Sequence, residues 1–279
     1  MKKFLSLFLS LTVALVLAAC GTANDESNAG EEAADTTELV VGASNVPHAE
    51  ILEEAKPLLA EKGIDLKIET FQDYILPNQA LEAGDLDANY FQHIPYLELQ
   101  IEEHGYDFAN AGGIHIEPMG VYSKKYKSLD ELPEGAHVIM SSSVAEHGRI
   151  LSLLEKEGVI TLKEGIDKVK ATMEDIAENP KNIHFDTEYE ASLLPQIFNN
   201  NEGDAVVINS NYAMDSGLNP LEDSIAIEGS ESPYANLIVV NKGDENSEAI
   251  KTLVEVLRSK EIQDFILEEY KGAVVPVSE

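Results

Sequence analysis

The chain has 279 residues with 19 Lys and Arg against 51 Asp and Glu, a formal charge of −32. A surface that acidic excludes a general phosphate-gripping protein, which needs clustered cations to displace counterions; outside the N-terminus the one basic pair is Lys124-Lys125. At 44% hydrophobic and 25% charged the composition is that of a globular protein, and a single cysteine, Cys20, excludes an intramolecular disulfide, a cysteine-rich zinc site and an iron–sulfur cluster.

The chain opens on Lys2-Lys3, then runs apolar from Phe4 to Leu17, broken only by Ser and Thr, before L-A-A-C. A charged n-region, an apolar h-region and small residues at a cleavage point make residues 1–19 a secretory signal peptide. The run is short of the ~20 apolar residues a membrane span needs, and no basic stop-transfer cluster follows. Leu17-Ala18-Ala19-Cys20-Gly21 resembles the lipobox of bacterial lipoproteins, in which the cysteine becomes the first mature residue and carries the lipid. Cys20 is then an anchor, held stably if it bears two or more acyl chains. Residues 20–37 hold five acids and no aliphatic larger than Ala, so they read as a flexible, self-repelling tether.

The folded part begins near Glu38. L-V-V-G-A (39–43) reads as a strand, and Ile51, Leu52, Ala55, Leu58 and Leu59 recur at helical spacing, with Pro57 expected to kink or reset that helix. D-L-K-I-E-T (65–70) alternates as a strand, and a helix runs from near Asn78 to Gly84. Such βαβ units predict a mainly parallel sheet with helices on its faces. A second set follows: strands at 136–140, 183–186 and 204–208, with a helix from Arg149 to Lys156. A-N-L-I-V-V (235–240) and helices around 246–258 and 261–270 close the chain. Spacing alone fits either one barrel or two smaller lobes.

Four strings carry more: D-A-N-Y-F-Q-H-I-P-Y-L (87–97), H-I-E-P-M-G-V-Y-S-K-K (115–125), G-D-A-V-V-I-N-S-N-Y-A (203–213) and S-P-Y-A-N-L-I-V-V (232–240). With A-E-H-G-R (145–149) they resemble the methionine-binding lipoproteins of the NlpA family, from about Leu39 to the C-terminus. The resemblance implies an α/β, two-lobed periplasmic-binding-protein fold of the type II kind with a hinge. Lobe 1 would combine 38–118 and 230–279, and lobe 2 would be 119–229. It further implies a monomeric receptor on the outer face of the cell membrane that captures L-methionine and delivers it to the permease and ATPase of an ABC importer, with no cofactor.

A closed cleft must satisfy the carboxylate, ammonium and side chain of a free amino acid, because unpaired buried charge is costly. Arg149, read as lying at a helix start where N–H groups and the dipole favour anions, is the candidate for the carboxylate. Asn209, Asn211 and Asn236, at strand ends, are candidates to accept from the ammonium, although Asn209 and Asn211 also suit helix-cap chemistry. Tyr74, Tyr90, Phe91, His93 and His115 stand where the resemblance implies an aromatic pocket for a thioether. One departure stands out: S-S-S-V-A-E-H (141–147) replaces the P-N-D-P-T-N-type loop of many family members, which leaves a methionine-containing dipeptide or another amino acid as alternatives.

Other classes have weaker support. Ser141–Ser143 with His147 lack the G-x-S-x-G context of a serine hydrolase. The seven histidines form no H-E-x-x-H pair, and His48, His137 and His184 read as loop or strand-face residues, which weakens a metal receptor.

Overall fold

The computed structural model describes residues 36–229 and 232–277. The signal segment, Cys20 and all but the end of the tether lie outside the described residues. In chain order the first half holds β1 (Thr37–Ser44), α1 (Glu50–Ala60), β2 (Ile64–Phe71), α2 (Leu76–Ala83), β3 (Ala88–His93), α3 (Ile94–His104), β4 (Phe108–Ile116), β5 (Gly120–Tyr122), β6 (His137–Ser141) and α4 (Val144–Lys156). The rest holds β7 (Thr161–Leu162), β8 (Ile176–Glu178), β9 (His184–Tyr189), α5 (Leu194–Asn199), β10 (Ala205–Ile208), α6 (Ser210–Asp215), α7 (Pro220–Asp223), β11 (Ser224–Ile227), β12 (Ala235–Asn241), α8 (Glu248–Leu257), α9 (Lys260–Tyr270) and β13 (Val275–Pro276).

Among the described residues these strands form two main sheets, ordered β13-β4-β12-β3-β1-β2 and β11-β5-β10-β6-β9, with β7 and β8 as a separate ribbon. Each main sheet founds one α/β lobe. Both are mixed, where the βα alternation predicts mainly parallel pairing. β1, β2 and β3 are parallel, but β12 enters antiparallel between β3 and β4; likewise β6 is parallel to β9 and β10, whereas β5 and β11 are antiparallel additions. The physical reason is topological. A strand arriving from the other lobe need not follow the right-handed βαβ crossover that enforces parallel pairing.

Periodicity explains the helices. α1 buries Ile51, Leu52, Ala55 and Leu59 on one face against the first sheet, beside Leu253 and Leu257 of α8 and Ile262 and Ile266 of α9. Pro57 stays inside α1, exposed and one turn from its end, so the expected kink does not break the element. Ser247 and Ser259 cap α8 and α9 by accepting from Ile250 N–H and Ile262 N–H. Gly84 ends α2 with φ +79°, a left-handed conformation that costs glycine nothing. In the other lobe α4 drives Ile150, Leu151, Leu153 and Leu154 into a core with Val138, Met140, Ala205 and Val207.

The chain passes between sheets at 117–119 and again between β11 and β12. These crossings are tied together: Glu228 N–H donates to Met119 O at 2.9 Å, and Met119 N–H to Glu228 Oε2 at 3.3 Å. The lobes also meet across the cleft. Tyr74 Oη donates to Asn211 Oδ1 (2.6 Å), Asn45 Nδ2 to Asp215 Oδ1 (2.7 Å), and Phe91 and Tyr96 pack on Ala145 of α4.

Candidate ligand-binding site

Between the lobes lies a pocket of about 380 Å³. Its walls come from the carboxyl ends of β3, β4 and β10, the N-terminal half of α4 and the start of β12, the place where open α/β sheets leave a crevice.

One end is aromatic. Phe91 and Tyr96 lie with Tyr74, whose ring centroid is 5.8 Å from that of Phe91 and 6.0 Å from that of Tyr96, and Tyr96 Oη donates to Tyr74 O at 2.9 Å. His93 sits where β3 turns into α3. Its Nδ1 accepts from Tyr96 N–H (3.3 Å) as the helix cap, so Nε2 carries the proton and donates to Glu146 Oε1 at 2.6 Å. That bond joins the lobes.

The other end is charged. Arg149 is buried at 6% exposure, its Nη2 donating to Glu117 O (3.0 Å) and pairing with Glu228, its Nη1 lying 3.6 Å from Glu146 Oε2, and its guanidinium stacking 4.5 Å over the Tyr234 ring. Burial works against the charge, but Glu228 and Glu146 outweigh it and hold the guanidinium protonated. Burial likewise opposes ionisation of Glu146, yet His93 and Arg149 together hold its carboxyl down at about 2. Arg149 is the sixth residue of α4 rather than its first, so the helix-start reading is corrected: its setting is a set of side-chain and carbonyl partners, not first-turn amides. Gly148 beside it is required by contact, because a Cβ there would come within 2.2 Å of Val169 O.

A third group stands behind the wall. Tyr90 and His115, expected in the pocket, are both 0% exposed and do not line it. His115 Nδ1 accepts from Tyr90 Oη and its Nε2–H donates to Glu117 Oε1 at 2.8 Å. The register of β3 with β12 skips Phe91 at an irregularity, so side chains there do not simply alternate: Tyr90 packs into the core of the first lobe, whereas Phe91 joins Tyr96 and Ala145. His48, expected on a loop surface, is 1% exposed, with Nε2 at 3.1 Å from both Asn236 Oδ1 and Glu117 Oε1. Burial pushes the His48 imidazole down to about 4 and His115 to about 3, and pushes the Glu117 carboxyl up against the pull of His48 and Arg149. His48, His115 and Glu117 are of metal-ligating type with donor atoms within 4.8 Å, a grouping that linear spacing hides; their contacts are met as hydrogen bonds.

Of the nine expected residues the pocket thus gathers Tyr74, Phe91, His93, Arg149, Asn209, Asn211 and Asn236. Asn209 occupies the cap position of α6 but its side chain makes no capping bond, while Asn211 Oδ1 is taken by Tyr74 Oη. Sequence reasoning missed Gln92, Tyr96, Glu117, Glu146 and Ser210. Glu146 is three residues before Arg149, a spacing that stacks side chains on one helix face, but burial alone separates it from the chain's other acids. The S-S-S segment is displaced from the pocket: Ser141, Ser142 and Ser143 line a neighbouring groove that shares only Tyr74 and Tyr96 with it.

Two α/β lobes, joined by crossing strands and closed over a small polar and aromatic pocket, define a substrate-binding protein of the hinged kind. The chain belongs to the NlpA lipoprotein family, whose sequence profile matches residues 39–278. It is 51% identical to the methionine-binding lipoprotein MetQ of Bacillus subtilis, over 100% of both chains. Among solved structures it resembles a nutrient-binding protein from Burkholderia cenocepacia bound to methionine (42% identity, TM-score 0.81, 86% of this chain and 100% of that one). It also resembles an ABC-transporter periplasmic substrate-binding protein from Coxiella burnetii (38% identity, TM-score 0.80, 86% and 100%). No helix among the described residues is long and apolar enough to cross a membrane.

Proposed function

We propose that this protein is a lipid-anchored receptor, not an enzyme, that closes on L-methionine and hands it to an ABC importer. One observation carries the reading. Buried polar groups normally have hydrogen-bond partners, yet Arg149 Nε and Asn209 Oδ1 are buried without one, and Glu146 Oε2 has only its ion-pair contact with Arg149 Nη1 at 3.6 Å. One cationic donor and two acceptors in the same pocket wall are the complement of a zwitterion. Arg149 would hold the carboxylate, Asn209 and Glu146 the ammonium, and Tyr74, Phe91, His93 and Tyr96 the thioether, since sulfur–aromatic contacts contribute about 0.3–1.5 kcal/mol each.

Asn236 takes a different part from the acceptor role expected of it. His48 occupies its Oδ1, which leaves the amide hydrogens to donate to the carboxylate. Tyr90 and His115 act through Glu117 rather than on the ligand. The serine loop lines a separate groove, so its departure from the family's usual loop does not reach the pocket, which supports a free amino acid over a dipeptide. The names of the relatives support methionine and importer alike. Lobe 1 would span 38–118 and 230–279, lobe 2 119–229, and Cys20 would tether a monomer through residues 20–37 to the outer face of the cell membrane.

The test is mass spectrometry of small molecules released when the purified protein is denatured, followed by calorimetric titration of the refolded, ligand-free protein. Release of methionine with one-to-one rebinding is expected. Release of a methionine-containing dipeptide, or no heat with methionine, would overturn the substrate while leaving the family unchanged.

A further inference from the structure

His48 is outside the pocket wall, yet two residues that form it, Asn236 and Glu117, both meet its Nε2. Both atoms presented to it, Asn236 Oδ1 and Glu117 Oε1, are acceptors, whereas Nδ1 is buried with no partner. The proton therefore sits on Nε2, and the ring has one direction in which to donate. Its orientation is set by packing: the ring meets Tyr90 edge-on (4.7 Å, 82°) and lies 5.0 Å from that of His115. His115 cannot take over, because its two nitrogens are committed to Tyr90 and Glu117.

The consequence falls on Asn236. A primary amide is nearly symmetric in shape but opposite in hydrogen-bonding character at its two ends, so packing alone does not decide which end faces a ligand. A fixed N–H on its far side does decide it.

We propose that His48 is a positioning residue for amino-acid capture: by donating Nε2–H to Asn236 Oδ1, with Glu117 Oε1 close by, it locks the Asn236 amide with its Nδ2 hydrogens towards the pocket, and so selects for a carboxylate there. The proposal rests on the reading of this pocket as an amino-acid site. It reaches further by placing part of the selectivity on a residue that never touches the ligand.

The experiment uses the mature lipid-anchored chain in detergent, titrated with methionine. His48→Leu, which removes the donor, weakens binding roughly 10- to 100-fold, the worth of a misdirected buried amide. His48→Gln, whose side-chain N–H reaches a similar point, recovers affinity to within a few-fold. In an Asn236→Ala background His48→Leu causes no further loss, because the group it positions is gone. Binding by His48→Leu within twofold of the parent, equal losses for Leu and Gln, or full additivity with Asn236→Ala would each overturn the proposal. A second readout needs no ligand. With asparagine labelled by nitrogen-15, the parent gives one sharp, dispersed Asn236 side-chain amide pair, which broadens or collapses in His48→Leu and returns in His48→Gln; an unchanged pair overturns the positioning role. A parent that fails to bind methionine while showing the expected amide behaviour would sink the substrate reading and leave the positioning intact.

Discussion

The two walls of the cleft are built on opposite terms. On the first-sheet side, polar groups are buried and, His48 Nδ1 apart, satisfied by one another. Gln92, which faces the pocket, is held from behind by an amide cluster in which Gln92 Nε2 donates to Asn78 Oδ1 (2.7 Å) and Asn89 Oδ1 (2.9 Å), and Asn89 Nδ2 donates to Asn78 Oδ1 (2.9 Å). On the second-sheet side, α4 and the end of β10 carry three buried pocket atoms without a hydrogen bond, Glu146 Oε2, Arg149 Nε and Asn209 Oδ1. A satisfied wall is already organised when the lobes are apart, and an unsatisfied wall gains most from what enters as they close. Ligand binding then stabilises the closed form by its difference in affinity between the two states. The amide cluster of the first wall should accordingly fail in stability, and the groups of the second wall that lack hydrogen bonds in affinity.

The largest expected effect lies on the second wall. Arg149→Ala removes the buried cation and leaves Glu146, Glu228 and the ligand carboxylate facing one another, a loss of about 3–5 kcal/mol for a broken buried charge set. Calorimetry should find methionine binding weakened more than a hundredfold. Binding within twofold of the parent would show that this wall does not read the carboxylate.

The first wall is tested by Asn78→Leu. Asn78 is 0% exposed and serves Gln92 and Asn89, so losing it strands their amides at about 1–3 kcal/mol each. Thermal unfolding should shift down by several degrees while methionine affinity in the folded protein moves far less. A variant that keeps its unfolding temperature but loses binding would reverse the division between the walls.

Much of this was legible in the chain, and the gaps have specific causes. The strands and helices announce themselves by period, and Phe91, His93, Arg149 and Asn236 stand in strings distinctive enough to carry a family. Glu117 and Glu146 were hidden because a chain with 51 acids gives no reason to single out two of them. What distinguishes them is burial, and burial is set by crossing strands far apart in sequence: Glu117 lies in one crossing and Glu228 in the other. The same non-local pairing accounts for the antiparallel strands, since nothing near 235–240 says that β12 will enter between β3 and β4. Tyr90 and His115 were placed one layer too far forward because a motif records residue types, whereas the face of a strand depends on its register.

The smallest effect sharpens the comparison through pH. Burial holds His48 at about 4 and His115 at about 3, below the ordinary 6.5 these imidazoles regain on unfolding. Below pH 6.5 the unfolded chain therefore takes up protons that the folded chain refuses. Their contribution is complete above 6.5 and is lost as pH falls towards 4. Glu146, held at about 2 against an ordinary 4.5, adds a loss in the same direction, but only below 4.5. Glu117, pushed up by burial, acts in the opposite sense above 4.5 and blunts the slope without sharing its cause. Burial also lowers His147 on α4, so the window between 6.5 and 4.5 reports on both walls, and comparison with a His48 variant is what separates out the first. His48→Gln removes one of the titrating groups but keeps its donor. Its unfolding temperature should fall less steeply than the parent's across that window, and the two curves should resume a common slope near pH 3, where the His48 step is nearly spent while His115 and Glu146 still act on both. Parallel curves from 6.5 to 4.5 would mean that His48 is not held neutral by burial, and the satisfied wall would then owe its order to another group.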